Sequence, residues 1–497
     1  AVDLAGMVPT TGSTGTVNVT GAGALAITAM NTGINVIDAS GATGGLTIGA
    51  GARDTDVYTI TGGSGADSIA MENLADVLDG GAGTADTLVV AHTAILGGIS
   101  IDMGATDQLV SMDGGSNAAV QKNFEKVNLD AFVNFGAVVT GSDNADTVSG
   151  TPVADNIKLG KGNDVLSIVN VASAATDVVT GGAGTDTIHV QGLGSNGVSQ
   201  NVVDLTTLAN GLVANSAAFD LSTGFENIDV RDAIEEWTLT GSAGDNVIYG
   251  SVGADLFHAT AGNDTVTGGA TTAVDTFNFT ETLLLANSGT TSTYDGNTGT
   301  DIIKVEANTI SVVDADLRGF SNVETYLHTS GTNNVVLSTN ASAAGIVTVT
   351  GGAGVDTINV AGMTNDLIVN GAGEADIISV ATGAITTVNV ASSTDITSVI
   401  STSVTGAGYF HAKTNWGTDD LIDYNGTLLS DDTIASTLLE DSTRADTADI
   451  ATGKTFYNSS TVAANESIAN FIAGTTTMAQ FKVIVQTTLT ASGGAST

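Results

Sequence analysis

Carboxylates recur at a fixed spacing in GSDNADTVSGTPVADNIKLGKGNDVLS at 141–167, which divides into three nines carrying Asp146, Asp155 and Asp164 at the same place. Each Asp closes a run of small residues and precedes a short apolar segment. Glycine reaches positive φ and lets the backbone approach an ion, so such a turn can aim carbonyl oxygens inward beside the carboxylate. Carbonyl and carboxylate oxygens together suit a hard cation. Ca²⁺ accepts six or more oxygens at ~2.3–2.6 Å, whereas Mg²⁺ is smaller and keeps its waters, so a carbonyl-rich cage favours calcium.

The full pattern G-G-x-G-x-D-x-U-x, with U a large apolar residue, appears at 62–70, 181–189 and 351–359, carrying Asp67, Asp186 and Asp356. Degenerate copies at 79–90, 241–250, 261–269, 295–305 and 370–380 carry Asp86, Asn246, Asp264, Asp301 and Asp376. Asp76 follows Asp67 by nine residues, and Asp186 follows Asp177 by the same step. Asp356, Asp366 and Asp376 are spaced by ten, which predicts irregular turns. For Asp275 and Asp301, in the loosest turns, a calcium site and an empty turn both remain open.

Such spacing demands a coil. Two nines make one turn of a parallel β-roll, with G-G-x-G-x-D as the bend and x-U-x as a strand whose U faces the core. Asp146 and Asp164 are then expected on one edge and Asp155 on the other, and Asn246 and Asp264 on one edge with Asp255 across. Coils stack ~4.8 Å apart, so an ion between them can draw on two turns. Without calcium the stacked carboxylates would repel, which predicts blocks that are disordered when apo and fold on binding.

Composition agrees. The 497 residues include 53 Asp plus Glu against 12 Lys plus Arg, a formal net charge of −41. Nucleic acid and anionic membranes are excluded as expected partners, because phosphate binding needs a basic patch. There are no cysteines, 63 glycines, 2 prolines and 4% aromatics. That shortage of large side chains suits thin, repetitive all-β structure rather than one bulky core. The opening AVDLAGMVPTTG lacks the basic and apolar regions of a signal peptide. No stretch reaches the ~18 apolar residues of a spanning helix, so no membrane insertion is expected.

A longer repeat is marked by NFEKVNL, GFENIDV and GFSNVET, whose Phe124, Phe225 and Phe320 lie 101 and 95 residues apart. The expected organisation is a partial β module at 1–60, then modules of repeat block plus spacer at 61–140, 141–240 and 241–345. A fourth block follows at 346–417 and a terminal region at 418–497. Short strands are expected at 16–19, 87–90, 187–190, 276–279 and 346–349. The tail has helical spacing at 431–441 and 463–473 and a last strand at 481–489.

Other motifs carry less. His92, His189, His258, His328 and His411 are scattered, with no HExxH and no close pair. There is no GxSxG elbow. ATGKT at 451–455 would need Gly where Ala448 stands to make a phosphate loop. Trp237 and Trp416 read as local packing, and the acidic pairs Glu235 with Glu236 and Asp419 with Asp420 as solvated faces or loose calcium contacts. With no catalytic constellation, no enzyme is expected.

The GGSGAD, GGAGTD and GGAGVD turns and the nines of Asp146, Asp155 and Asp164 resemble the RTX (repeats-in-toxin) superfamily over roughly a third of the chain. The Thr/Ala/Gly/Val-rich spacers, the GFENIDV segments and the acidic composition are similar to RTX-type S-layer proteins of Gram-negative bacteria, the Caulobacter kind among them. That resemblance implies several Ca²⁺ ions per chain and type I secretion through an uncleaved C-terminal signal. It also implies a cell-surface location and self-assembly into a two-dimensional paracrystalline lattice. Such proteins hold lipopolysaccharide through a helical N-terminal domain, and no such helices open this sequence, so a lipopolysaccharide anchor is not evident. Two alternatives stand beside the lattice: an RTX adhesin or calcium-stiffened surface filament binding a host or surface ligand, and the carrier portion of a secreted hydrolase or toxin.

Overall fold

The computed structural model describes residues 2–3, 15–29, 33–49, 57–91, 97–169, 177–191, 201–207, 211–214, 217–221, 224–306, 310–374, 376–379, 386–389, 398–401, 411–414 and 421–424. The segments expected as helix at 431–441 and 463–473 and as strand at 481–489 lie outside the described residues, as do ATGKT and Trp416. The chain forms two compact units, Ala1–Asp255 and Leu256–Thr497. Each is a parallel β-solenoid, confirming the all-β coil expected from the nines.

In the first unit one ladder of strands runs Leu46–Ile48, Ser68–Met71, Thr87–Val90, Lys126–Asn128, Thr147–Ser149, Val165–Ile168, Thr187–Gln191, Asn227–Asp232 and Val247–Tyr249, each parallel to the next. The U position forms a single file. Ile69, Leu88, Val127, Val148, Leu166, Ile188, Ile228 and Ile248 are in register and at most 3% exposed. A strand is too short to be stable alone, and burying one branched side chain per coil against its neighbours is what stacking contributes. A second file runs Val139, Ile157 and Val179 along Ala137–Thr140, Asn156–Lys161 and Asp177–Ala183.

Two coils of this unit are enlarged. The chain leaves after Thr87–Val90 and adds antiparallel strands Ile99–Asp102, Leu109–Met112 and Gly115–Ser116 before returning at Lys126–Asn128. It does so again after Thr187–Gln191 with Asn201–Asp204, Leu212–Ala214 and Ala217–Leu221. The first excursion turns on Asp113 and Gly114, both at positive φ (55° and 78°), the two-residue turn whose twist matches antiparallel strands.

In the second unit Phe257, Phe277, Ile303, Tyr326, Val349 and Val369 form the corresponding file, and Val335, Ile358 and Ile378 another. Phe277, Phe279, Tyr294 and Phe320 pack with ring centroids 4.8–6.4 Å apart. The described α-helices are Glu281–Asn287 and Thr339–Ala344, both short. The second ends where Gly345 takes the left-handed conformation at φ 102° that closes helices. The strand expected at 346–349 begins at Thr348, after that helix.

Candidate metal centres

Each ladder strand follows the turn of its coil, so the residue just before the strand sits on an edge. There the side chain reaches the equivalent backbone N–H one coil earlier. On one edge of the first unit, Asp67 donates its N–H to Asp86 Oδ1 (2.8 Å), Asp146 to Asp164 (2.8 Å) and Asp164 to Asp186 (2.8 Å). On the other edge Tyr58 donates to Asp76 (2.9 Å), Ala137 to Asp155 (2.6 Å), Asp155 to Asp177 (2.7 Å) and Trp237 to Asp255 (2.8 Å). Asp146 and Asp164 thus share an edge that Asp155 does not. In the second unit Asp275 donates to Asp301 (2.8 Å), Asn333 to Asp356 (2.6 Å), Asp356 to Asp376 (2.9 Å) and Asp264 to Ser292 Oγ (3.0 Å).

The other carboxylate oxygen turns into its own bend. Oδ2 accepts from Gly63 in Asp67 (2.6 Å), from Thr151 in Asp155 (2.7 Å), from Ser251 in Asp255 (2.6 Å) and from Gly269 in Asp275 (2.8 Å). Five fully buried aspartates have no such partner: Oδ2 of Asp86, Asp164, Asp186, Asp301 and Asp356 is orphaned. Burying a carboxylate oxygen without a partner costs more than any neutral group would.

Electrostatics follows. Burial pushes Asp86 up to about 6, and the charges of Glu125 and Asp67 add to it. Burial also lifts Asp164 to about 6, with Asp186 and Asp146 pressing from the adjacent coils. Asp155 and Asp301 reach about 6 and Asp177 about 7, again chiefly through burial. Asp146, Asp186 and Asp356 move in the same direction for the same reason. Backbone amides oppose the shift at every one of these positions without overcoming it.

These edges fit a calcium ion by their chemistry. The donors are all oxygen, the orphaned atoms lack a counter-charge, and the turns bring carbonyls against them. A Cβ on Gly181 would lie 1.9 Å from Gly224 O and 2.8 Å from Asp186 Oδ2, so only glycine lets these oxygens approach. Among the described residues no three His, Asp or Glu side chains converge on one point. A bound ion would therefore draw much of its shell from turn carbonyls and water. Asp86, Asp164, Asp186, Asp301 and Asp356 are the groups best placed to hold one. Bound calcium would supply the positive charge that lets both edges stay ionised while packed.

Two expected positions depart from this pattern. Asn246 carries no charge, and its Nδ2 donates to Glu226 O (2.7 Å) and Ser242 Oγ (2.8 Å). Asp366 is exposed and falls one residue short of the edge position, which Leu367 occupies in line with Val347 one coil earlier. The ten-residue spacing brings Asp356 and Asp376 together and leaves Asp366 outside the buried row.

Three ladder members escape the nonapeptide pattern altogether. Glu125, Glu226 and Glu324 occupy the edge position and accept the N–H of Asp86 (3.0 Å), Asp186 (2.9 Å) and Asp301 (2.8 Å) through Oε2. The signal was present in NFEKV and GFENI, where an acid stands directly before an apolar strand. The three marker phenylalanines are not equivalent. Phe124 and Phe225 precede their glutamates, but Phe320 lies in the strand Phe320–Ser321 and Val323 takes the matching place. Asp314, also unforeseen, accepts the N–H of Ser338 (2.6 Å), Asn340 (2.9 Å) and Ala341 (3.1 Å) at the start of helix Thr339–Ala344. Burial works against ionisation of Asp314, yet these amides together hold it below the usual carboxylate range.

The profile of the RTX calcium-binding nonapeptide repeat matches residues 140–167, 171–191 and 238–270, in four copies. These spans hold Asp146, Asp155, Asp164, Asp177, Asp186, Asn246, Asp255 and Asp264. No curated protein matches the chain. The chain thus carries RTX nonapeptide repeats wound into a β-solenoid, and those repeats bind several Ca²⁺ ions.

Proposed function

We propose that this chain is a secreted surface-layer protein of the RTX type, which assembles with calcium into a two-dimensional lattice on a bacterial cell. RTX solenoids are typical of structural or adhesin-type proteins. No helix among the described residues is long and apolar enough to cross a membrane. The observation that carries the reading is the pair of buried carboxylate rows in a chain of net charge −41. Copies so charged repel each other, and divalent cations are the counter-charge that lets them pack. The partner is then a second copy of the same chain. Outward-facing Val138 and Val178, 52% and 45% exposed and in register on either side of Asn156, give an outer face that another copy could cover.

Electron microscopy of the purified chain tests this, first in millimolar calcium and then in chelator. Ordered sheets that dissolve on chelation are expected. Folded single particles at every concentration in calcium would overturn the lattice and favour an adhesin that binds a surface ligand.

A further inference from the structure

The same construction recurs three times outside the nonapeptide pattern. Asp86, Asp186 and Asp301 each give their N–H to a glutamate carboxylate, and each takes back that glutamate's N–H on its own carbonyl. The return bonds are 3.1, 3.1 and 3.2 Å, and the residue after each glutamate adds a second at 2.9 Å. Two residues before each glutamate the backbone is left-handed: Asn123 at φ 59°, Gly224 at 103° and Asn322 at 52°. That bend turns a carbonyl onto a glycine of the aspartate's turn. A Cβ on Gly80, Gly181 or Gly296 would lie 2.0, 1.9 or 2.1 Å from the oxygen of Asn123, Gly224 or Asn322. Asn123 and Asn322 even share an outer contact, donating Nδ2 to Asp79 and Asp295 at 2.7 Å each.

The three clasps also share a deficit. Oδ2 of Asp86, Asp186 and Asp301 is orphaned in every case, on side chains that are 0% exposed. In two clasps the glycine that meets the carbonyl meets this oxygen too, a Cβ on Gly181 or Gly296 lying 2.8 or 2.5 Å from it; in the third, Gly80 meets the carbonyl and Gly83 the oxygen, at 2.7 Å from Asp86 Oδ2. None of the recorded ion pairs among the described residues involves these six carboxylates. Each clasp therefore places a glutamate carboxylate on the N–H of an aspartate whose own Oδ2 is unpartnered, with a carbonyl packed on the same turn and no ion-pair partner for either acid. A plain hydrogen-bonding role for the glutamate accounts for Oε2 and leaves Oδ2 of the aspartate unexplained.

We propose that the three clasps are cation sites, in which Asp86 with Glu125, Asp186 with Glu226 and Asp301 with Glu324 each hold a calcium-class divalent ion. The aspartate Oδ2, the glutamate carboxylate and the carbonyl of Asn123, Gly224 or Asn322 are its protein ligands. All three donors are hard oxygens, which suits calcium over softer metals. Glu125, Glu226 and Glu324 lie outside the spans that match the nonapeptide repeat. The inference stands whether or not the chain forms a lattice.

The test is ion counting by native mass spectrometry on the full chain loaded with calcium. The variants are E125Q, E226Q, E324Q and the triple substitution. Glutamine retains a carbonyl oxygen for the aspartate N–H, so the clasp keeps its backbone bond and loses only its charge. One ion fewer per substituted glutamate is expected, with circular dichroism unchanged in excess calcium. An unchanged ion count in any folded single variant would overturn the proposal for that clasp and reduce its glutamate to a backbone acceptor. If the triple variant fails to fold, the three single variants decide on the same criterion.

Discussion

Asp164 and Glu125 make the same hydrogen bond in different settings. Between Asp146 and Asp164 the chain travels 18 residues, and between Asp164 and Asp186 it travels 22, before an edge carboxylate meets the amide one coil back. From Asp86 to Glu125 it travels 39, through an antiparallel excursion, and from Asp186 to Glu226 it travels 40. The edge is therefore set by the stack of coils and not by the nine-residue count. Nor does a long excursion by itself select glutamate, since Asp301 and Glu324 are only 23 apart and form the same clasp. A positive-φ residue two places earlier does not separate them either, since Gly162 stands so before Asp164 as Asn123 does before Glu125. What sets the clasps apart is that the glutamate also returns its own N–H to the carbonyl of the aspartate whose amide it accepts.

The steepest way to break this contrast is to fill a turn of the short coils. Gly184 has φ 149°, and a Cβ there would lie 1.5 Å from Gly162 O. Gly184→Ala is expected to cost roughly 3 kcal/mol or more through strain and overlap, read by denaturant unfolding in calcium. Gly49→Ala, where a Cβ meets nothing within 4 Å, serves as the neutral comparison. If both behave alike, close packing of the turns is not what shapes the coil.

Next in size is the loss of one rung. Asp164→Ala leaves the buried N–H of Asp146 without its acceptor, which costs about 1–3 kcal/mol. Asp366→Ala removes an exposed carboxylate and should stay within about 0.5 kcal/mol. Equal losses would dissolve the distinction between ladder and surface.

Acidity should act on the ladder in a defined direction. Asp155, Asp164 and Asp301 are held near 6 and Asp177 near 7, against 3.8 for an unburied aspartate. The folded chain therefore binds protons more tightly than the unfolded one across that window. Without calcium, stability is greatest at its acid end and declines as pH rises toward 7, where the carboxylates must ionise unpaired. With calcium the order reverses, because protons compete for the same oxygens. Unfolding midpoints at pH 4.5 and 7.5, each with calcium and with chelator, would show both trends; parallel profiles would contradict them.

The smallest effect belongs to a carboxylate that spans coils without joining the ladder. Asp314→Ala should cost about 1 kcal/mol, the usual loss for a helix-start acceptor, and should loosen Thr339–Ala344 alone. Site-resolved amide exchange would show whether the effect spreads.

Much of this was legible in the residues. Nine-residue spacing placed Asp146 and Asp164 on one edge, and the x-U-x positions became the buried files of Leu166 and Ile188. The glutamates are hidden because no G-G-x-G turn precedes them, while edge position depends on the strand that follows. The Asp113 and Gly114 hairpin carries an ordinary Asp-Gly signal hidden within a run of glycine. Asp366 shows the opposite failure: spaced by ten, it misses the edge by one residue, and Leu367 stands in the row instead. Sequence separation stands in for coil register only while coils keep one length.

The central claim is that buried carboxylate rows make the solenoid depend on calcium. Peptide-resolved hydrogen exchange of the full chain, with calcium and then with chelator at neutral pH, tests it most directly. The account predicts strong protection through 140–191 in calcium and its loss on chelation, with Asp146, Asp155 and Asp164 amides among those released. Protection that is the same in both conditions would show that the rows hold without the ion, and the claim would fail.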